Sequence, residues 1–98
     1  IGYMTADVRA VPLAAEHGDT PVAAVPEHAY SGEYPLARFL YVYVNHQPGE
    51  ELDPLRREFI RYVFSYQGQK DVVRDGYLPV DANVARRTLK SVGIEPGF

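Results

Sequence analysis

The longest run of apolar positions covers residues 39–44, with the sequence FLYVYV. Aromatic, β-branched and aliphatic residues of this kind favour a strand. Both faces of that strand would be apolar, because the aromatic positions 39, 41 and 43 alternate with the aliphatic positions 40, 42 and 44. A strand of this type is typical of the centre of a sheet that helices cover on both sides. The pattern therefore predicts an α/β fold with a central strand over residues 39–44.

Three helices are predicted after this strand. Asp53 is an expected N-cap with Pro54 at the first helical position, and Ser65 and Asp81 are expected to cap the next two helices. Glycines that favour a helix stop follow the second and third helices. Apolar residues at helical spacing predict the buried faces of the first and the third helix: Leu55, Phe59, Val63 and Tyr66 in one, and Ala85, Leu89 and Val92 in the other.

The residues before the central strand predict less regular structure. A short apolar stretch at residues 8–13 favours a strand, which Pro12 restricts to a sheet edge or a strand end. Residues 15–26 have the Gly and Pro content of a loop, and residues 26–32 can form one or two helical turns that end at Gly32. One strong strand and three helices do not close a two-layer domain. Because the sequence also begins at Ile1 and not at Met, we expect a piece of a longer protein.

Composition excludes several classes of function. The 98 residues carry a net charge of −3, which argues against a nucleic-acid-binding surface. The bases are concentrated after residue 53, but acidic residues are interleaved with them on the predicted helices, as on a solvated helix face. There is no cysteine, so a disulfide framework, a thiolate metal site and a cysteine nucleophile are all excluded.

No motif for catalysis or metal binding is present. The three histidines, His17, His28 and His46, are too far apart for a helical metal pair. No serine lies in a G-x-S-x-G turn, and there is no glycine-rich phosphate loop. The sequence therefore predicts no enzyme, no metal and no cofactor.

Eight tyrosines are the one unusual feature of the composition. Most of them fall within the predicted strand and helices and are expected in or near the core. Tyr3 and Tyr34 differ, because each lies in a predicted loop beside Gly or Pro. Since a tyrosine presents both an apolar ring and a polar hydroxyl, it suits a ligand cleft. Tyr3 and Tyr34 are the only residues that we consider as candidates near a binding cleft.

Several segments, in this order, resemble the periplasmic phosphate-binding proteins of phosphate ABC transporters. The resemblance is carried by IGY at residues 1–3, VRAVPL at 8–13, SGEYPLARFLYVYVN at 31–45, LDPL at 52–55, FI at 59–60, GQ at 68–69 and DGYLP at 75–79. Each piece is weak alone, but together they cover nearly the whole chain and are specific to this family and its close relatives.

The resemblance implies a partial lobe of a type II periplasmic binding protein fold. Members of the family are two to three times longer, so this chain resembles their C-terminal part only. On this interpretation residues 1–98 form one C-terminal segment, with a hinge-proximal strand and loops at residues 1–34 and a strand plus helices at residues 35–98. The strand at residues 39–44 would lie in or return to the first lobe.

The resemblance also implies a function for the whole protein. It would bind inorganic phosphate between two lobes, outside the cytoplasmic membrane, and deliver it to the permease of an ABC transporter. The family's phosphate-ligand motifs are expected upstream of this chain, in the N-terminal part of the whole protein. Arg38 does not match the family's phosphate arginine. Loops equivalent to those of Tyr3 and Tyr34 approach the cleft in related oxyanion-binding proteins.

Two other functions use the same fold: a phosphatase, and a sensory or adhesive protein that has lost phosphate binding. A phosphatase would need a nucleophile or a metal site, and neither is apparent in these residues. Truncated sheets have unpaired edges that invite strand exchange. We therefore expect the isolated chain to form an oligomer if it is stable.

Overall fold

The computed structural model describes residues 4–98, and this part of the chain is mainly helical. Its helices are α1 (Pro26–Ser31), α2 (Pro54–Val63), α3 (Tyr66–Arg74) and α4 (Ala82–Ser91). In the same residues, β pairing is limited to one isolated antiparallel bridge between Leu13 and Val22. The chain divides into two compact units, of which the first ends at Val42 and the second is Tyr43–Phe98.

The first unit contains the β-bridge and α1. The bridge is closed by two backbone hydrogen bonds, from Leu13 N to Val22 O at 2.9 Å and from Val22 N to Leu13 O at 2.8 Å. α1 ends at Gly32, whose φ of 78° lies in the left-handed region that glycine adopts easily. The predicted helical turns at residues 26–32 are therefore confirmed, whereas the predicted strand at residues 8–13 is reduced to a single bridged residue.

Each of the three helices in the second unit begins at its predicted capping residue. Asp53 accepts a hydrogen bond from the backbone N–H of Arg56 at the start of α2. Ser65 caps α3 through the N–H of Gly68, and Asp81 caps α4 in the same way. These caps satisfy amide groups that have no partner inside a helix. The local sequence was therefore sufficient to predict where these helices start.

The core of the second unit consists of apolar residues from α2, from α4 and from the segments beside them. Leu52, Ile60, Leu89 and Ile94 are buried. Val44, Phe64 and Val92 are partly buried and pack against this cluster. Leu89 of the predicted α4 stripe is almost completely buried, and Ala85 is buried as well. The predicted buried face of α4 is thus confirmed.

The predicted buried face of α2 is wrong. Leu55 is 81% exposed and Phe59 is 57% exposed, whereas Ile60 is buried in the core. Tyr66, which was expected to continue the same stripe, is 82% exposed and begins α3. The reason is that a second apolar pair, Ile60 in α2 and Phe64 at its C-cap, is also spaced by one helical turn. Spacing alone did not show which of the two faces packs on the core.

The central strand predicted at residues 39–44 is not confirmed in this chain. These residues form no strand, and the side chains from Phe39 to Tyr43 are exposed, up to 91% at Tyr43. Val44 alone packs against the core of the second unit. A central strand requires a neighbouring strand on each side. Within residues 4–98 the only β pairing is the bridge at Leu13 and Val22, so those neighbours are missing.

The helices of the described part are too short to cross a bilayer. The longest two, α2 and α4, have ten residues each, whereas a membrane-spanning helix requires about 20. No helix among residues 4–98 is both long and apolar enough to span a membrane.

Candidate functional site

The helix N-termini of the second unit are already occupied by side chains of the chain itself. Such N-termini bind anions through free backbone N–H groups and the positive end of the helix dipole. At α2 the carboxylate of Asp53 accepts from Arg56 N at 3.1 Å, and at α4 the carboxylate of Asp81 accepts from Asn83 N at 2.8 Å. A phosphate at either position would meet a negative charge. The starts of α2 and α4 are therefore unsuited to an anion.

Tyr34 is held in a bend that follows α1. Its backbone N–H donates to the carbonyl of His28 at 3.2 Å, and its hydroxyl donates to the carbonyl of Val11 at 3.4 Å. The side chain is half-buried, and all of these contacts lie within the first unit. The hydroxyl is therefore fixed by the backbone near Val11. Tyr3, the other candidate for a binding cleft, lies outside the described residues.

Arg38 has the position expected of a surface residue. It is exposed, and its Nη1 donates to the carbonyl of the adjacent Phe39 at 3.5 Å. The structure shows no other hydrogen bond from its guanidinium within the described part. That Arg38 is not the family's phosphate arginine stays a prediction.

Two of the three histidines bind backbone carbonyl groups. His28 Nδ1 donates to Ala23 O at 2.8 Å, and His46 Nε2 donates to Glu50 O at 2.7 Å. Because a carbonyl oxygen only accepts, the ring nitrogen in each pair carries the proton. Residues 4–98 contain no group of three or more histidine, aspartate or glutamate side chains that could hold a metal ion. Both contacts are adequately explained as structural.

A polar concavity of about 300 Å³ lies at the start of α2. Its ionisable lining consists of the acids Glu50, Glu51 and Asp53, together with His46 and Arg56. Arg56 is already paired, since its Nε lies 3.3 Å from Asp53 Oδ2. The excess of carboxylates makes this concavity unfavourable for an oxyanion.

A second concavity, of about 500 Å³, lies between the start of α3 and the end of the chain. It is lined mainly by apolar atoms, with Arg61 and Glu95 as its charged residues. Arg61 is paired with Glu58 at 3.1 Å. Phe98 on the lining is held by Arg86, whose Nε donates to the Phe98 carbonyl at 3.1 Å and whose guanidinium lies 5.3 Å from the ring centroid. This arrangement contains no nucleophile beside a base.

A tyrosine–carboxylate pair joins α2 to α3. The hydroxyl of Tyr62 donates to Asp71 Oδ2, and Asp71 is also paired with Arg74 at 3.2 Å. The pKa of Tyr62 is raised, chiefly because this hydrogen bond favours the protonated phenol. A phenol that is held in its protonated form is a poor base or nucleophile. We therefore interpret the pair as a link between two helices.

The adjacent residues Gly68 and Gln69 bring the start of α3 close to the end of α2. A Cβ atom at Gly68 would lie 2.0 Å from the carbonyl oxygen of Tyr62, so only glycine fits there. The Gln69 amide donates to Val63 O at 2.7 Å, and its Oε1 accepts from Val80 N at 2.8 Å. Gln69 thus connects the end of α2 to the segment before α4.

In the sequence alone, GQ at residues 68–69 stands out only as part of the family resemblance, and Tyr62 is expected in or near the core. The buried glycine one residue before a glutamine, shortly after a serine N-cap, is the signal that could have indicated a close helix–helix contact. Nothing in the local pattern indicates that the Gln69 amide reaches residues on both sides of it. Those two contacts depend on how the helices pack.

Comparison with known proteins identifies the same relationship as the sequence motifs. No family model matches the chain. It is 48% identical over 94 residues, 96% of its length, to the phosphate-binding protein PstS from two strains of Pseudomonas aeruginosa. This chain resembles part of a phosphate-binding protein. It spans 29% of the length of those relatives, and the resemblance stated from the motifs is confirmed.

Proposed function

We propose that this chain is the C-terminal part of an extracytoplasmic phosphate-binding protein that delivers phosphate to the permease of an ABC transporter. The observation that carries the proposal is the 48% identity, over nearly the whole chain, to proteins named for phosphate binding. On this proposal the protein is not an enzyme and acts in the periplasm. Residues 1–34 lie near the hinge between the two lobes, and residues 35–98 contribute a strand and helices to one lobe.

The chemistry of the second unit supports a structural role for this segment. Carboxylates occupy the N-termini of α2 and α4, and the polar concavity beside α2 has an excess of acids. Neither feature suits an oxyanion. We infer that the phosphate ligands come from the N-terminal part of the protein and that this segment supports the lobe that holds them.

We infer that residues 39–44 become a central strand when the rest of the protein supplies neighbouring strands. The alternating pattern favours a strand with two apolar faces, and the side chains from Phe39 to Tyr43 are exposed in the chain by itself. Folded proteins rarely leave a long apolar patch exposed unless another surface covers it. The α/β lobe of a type II periplasmic binding protein would provide that cover.

Tyr34, together with Tyr3, is proposed to lie close to the phosphate cleft. Tyr34→Phe in the full-length protein removes only the hydroxyl that now donates to Val11 O. This bond holds the bend that, on this proposal, borders the cleft. Because one hydrogen bond contributes about 0.5–1.5 kcal/mol, we expect its loss to lower phosphate affinity by about 2- to 10-fold. Tyr66→Phe, an equally conservative change at a tyrosine that is 82% exposed, provides the control. Unchanged affinity in Tyr34→Phe would remove Tyr34 from the cleft.

The function is tested by calorimetric titration of phosphate into the full-length protein, with sulfate as the competing oxyanion. We expect tight, saturable phosphate binding and no hydrolysis of a phosphomonoester by the same preparation. Turnover of the phosphomonoester would instead support a phosphatase that uses this fold. Absence of phosphate binding would support a sensory or adhesive protein. An oligomer of the isolated chain remains a prediction, which light scattering tests.

A further inference from the structure

α2 has apolar residues on two separate faces. One face carries Ile60, which together with Phe64 at the C-cap of the helix contributes to the core of the second unit. The other carries Leu55, Phe59 and Tyr62, which we call the outer stripe. Since these residues are spaced by four and then three positions, they project from one side of the helix. Their exposed fractions are 81%, 57% and 47%.

A third face of α2 is charged. Arg57 and Arg61 lie on it, four residues apart, and Arg61 Nη1 is 3.1 Å from Oε1 of Glu58, which lies at the border with the outer stripe. A helix at the surface of a protein usually has one apolar face and one polar face. Here the charged face already provides the solvent-facing side. The outer stripe is therefore in excess of what a surface helix needs, which is typical of a helix that packs between two layers.

We propose that the outer stripe packs against the part of the same protein that lies outside this chain. The proposal rests on the proposed function, because it assumes that the chain belongs to a protein of the length of its relatives. The chain spans only 29% of those relatives, so a large amount of polypeptide is available to cover α2. A stable contact between two copies takes about 20–30 residues a side, far more than the three residues of this stripe.

The absence of cysteine from the chain makes a direct test possible. In the full-length protein, with any cysteine elsewhere replaced by serine, Phe59→Cys introduces one thiol on the outer stripe. Arg61→Cys introduces the control thiol on the charged face, two residues away, at a side chain that is also exposed in this chain. The rate of maleimide labelling is measured for each variant under native conditions and is normalised to the rate in denaturant.

We expect the thiol at position 59 to react at least about 100-fold more slowly than the thiol at position 61, because a packed site reacts only when it opens transiently. Leu55→Cys, at the most exposed position of the stripe, repeats the test if Phe59→Cys does not fold. Equal rates at positions 59 and 61 would overturn the proposal, because the stripe would then be open to solvent. Protection that is lost on dilution would also overturn it, because a second copy would then be the cover.

Phosphate binding by the same Arg61→Cys protein separates the two proposals. Protection at position 59 without phosphate binding would refute the proposed function and leave the docking surface in place. Phosphate binding without protection at position 59 would refute the docking surface only.

Discussion

At the scale of single residues, Gly68 is a position where a side chain does not fit. Its backbone lies against the carbonyl of Tyr62, and an added Cβ would be 2.0 Å from that oxygen. Backbone atoms at this distance cannot be relieved by a side-chain rotation. The requirement arises because α3 begins immediately after α2 and folds back on its last turn.

Gly68→Ala is therefore expected to lower the free energy of unfolding by about 1–3 kcal/mol, the usual cost of overpacking a close contact. Gly97→Ala is the matched control, since a Cβ at Gly97 would meet nothing within 4 Å. Urea denaturation of the two variants in the full-length protein measures the difference. Equal unfolding midpoints would show that α3 does not approach α2 in this way.

The raised pKa of Tyr62 predicts that the stability of the protein changes with pH in the alkaline range. Its pKa in the folded protein is raised above the ordinary value of 10.0, first by the hydrogen bond to Asp71 and then by desolvation. A raised pKa means that the contribution of the pair is complete below pH 10 and is lost as the pH rises through the folded pKa. We expect the contribution of this pair to the free energy of unfolding to be constant around neutral pH and to decline above pH 10.

Spectroscopic titration of the phenolate absorbance tests this pair. Tyr62→Phe should remove a phenol whose pKa is above the ordinary value, and it should weaken the decline in stability at alkaline pH. Tyr66→Phe serves as the control, because Tyr66 is 82% exposed at the start of α3. If Tyr62→Phe leaves the alkaline decline in stability unchanged, as Tyr66→Phe should, the hydrogen bond between Tyr62 and Asp71 is not present in solution.

At the scale of elements, the sequence predicted where helices begin and end better than it predicted what they pack against. The caps at Asp53, Ser65 and Asp81 depend on residues within one turn, so a local pattern contains the necessary information. The buried face of α2 depends on which of two apolar faces meets Leu89 and Ile94 from distant parts of the chain. Local spacing does not contain that information.

The candidate site illustrates the same limit. The prediction of no cysteine nucleophile and no metal rests on the absence of cysteine and on the wide spacing of the histidines, and both are visible in the sequence. By contrast, the contacts of Gln69 with Val63 and Val80 arise only once three segments are packed together. The position of Tyr34 near Val11 is likewise a tertiary contact, across 23 residues of sequence.

Residues 39–44 are proposed to form a central strand once the rest of the protein supplies neighbouring strands, and this leads to a prediction. In the full-length protein, we expect its backbone amides to exchange with solvent deuterium at least about 1,000-fold more slowly than in an unstructured peptide, as in a central strand. Residues 15–20, in the loop before α1, are expected to exchange quickly and provide an internal reference. Fast exchange at residues 39–44 would contradict the central strand.

At the scale of the whole molecule, two kinds of exposed apolar surface indicate that the chain belongs to something larger. One is the run of side chains from Phe39 to Tyr43, and the other is the outer stripe of α2. A 98-residue domain that folded for itself alone would be expected to bury more of them. The 29% coverage of the related phosphate-binding proteins gives an independent reason to expect the additional polypeptide.

The most direct test of this account compares phosphate binding by the isolated chain and by the full-length protein. Calorimetric titration is carried out on both, with circular dichroism to verify that the helices are formed in the isolated chain. The account predicts saturable binding by the full-length protein and no phosphate-dependent heat from the isolated, helical chain. Comparable binding by the isolated chain would contradict it, because the ligands would then lie within these 98 residues.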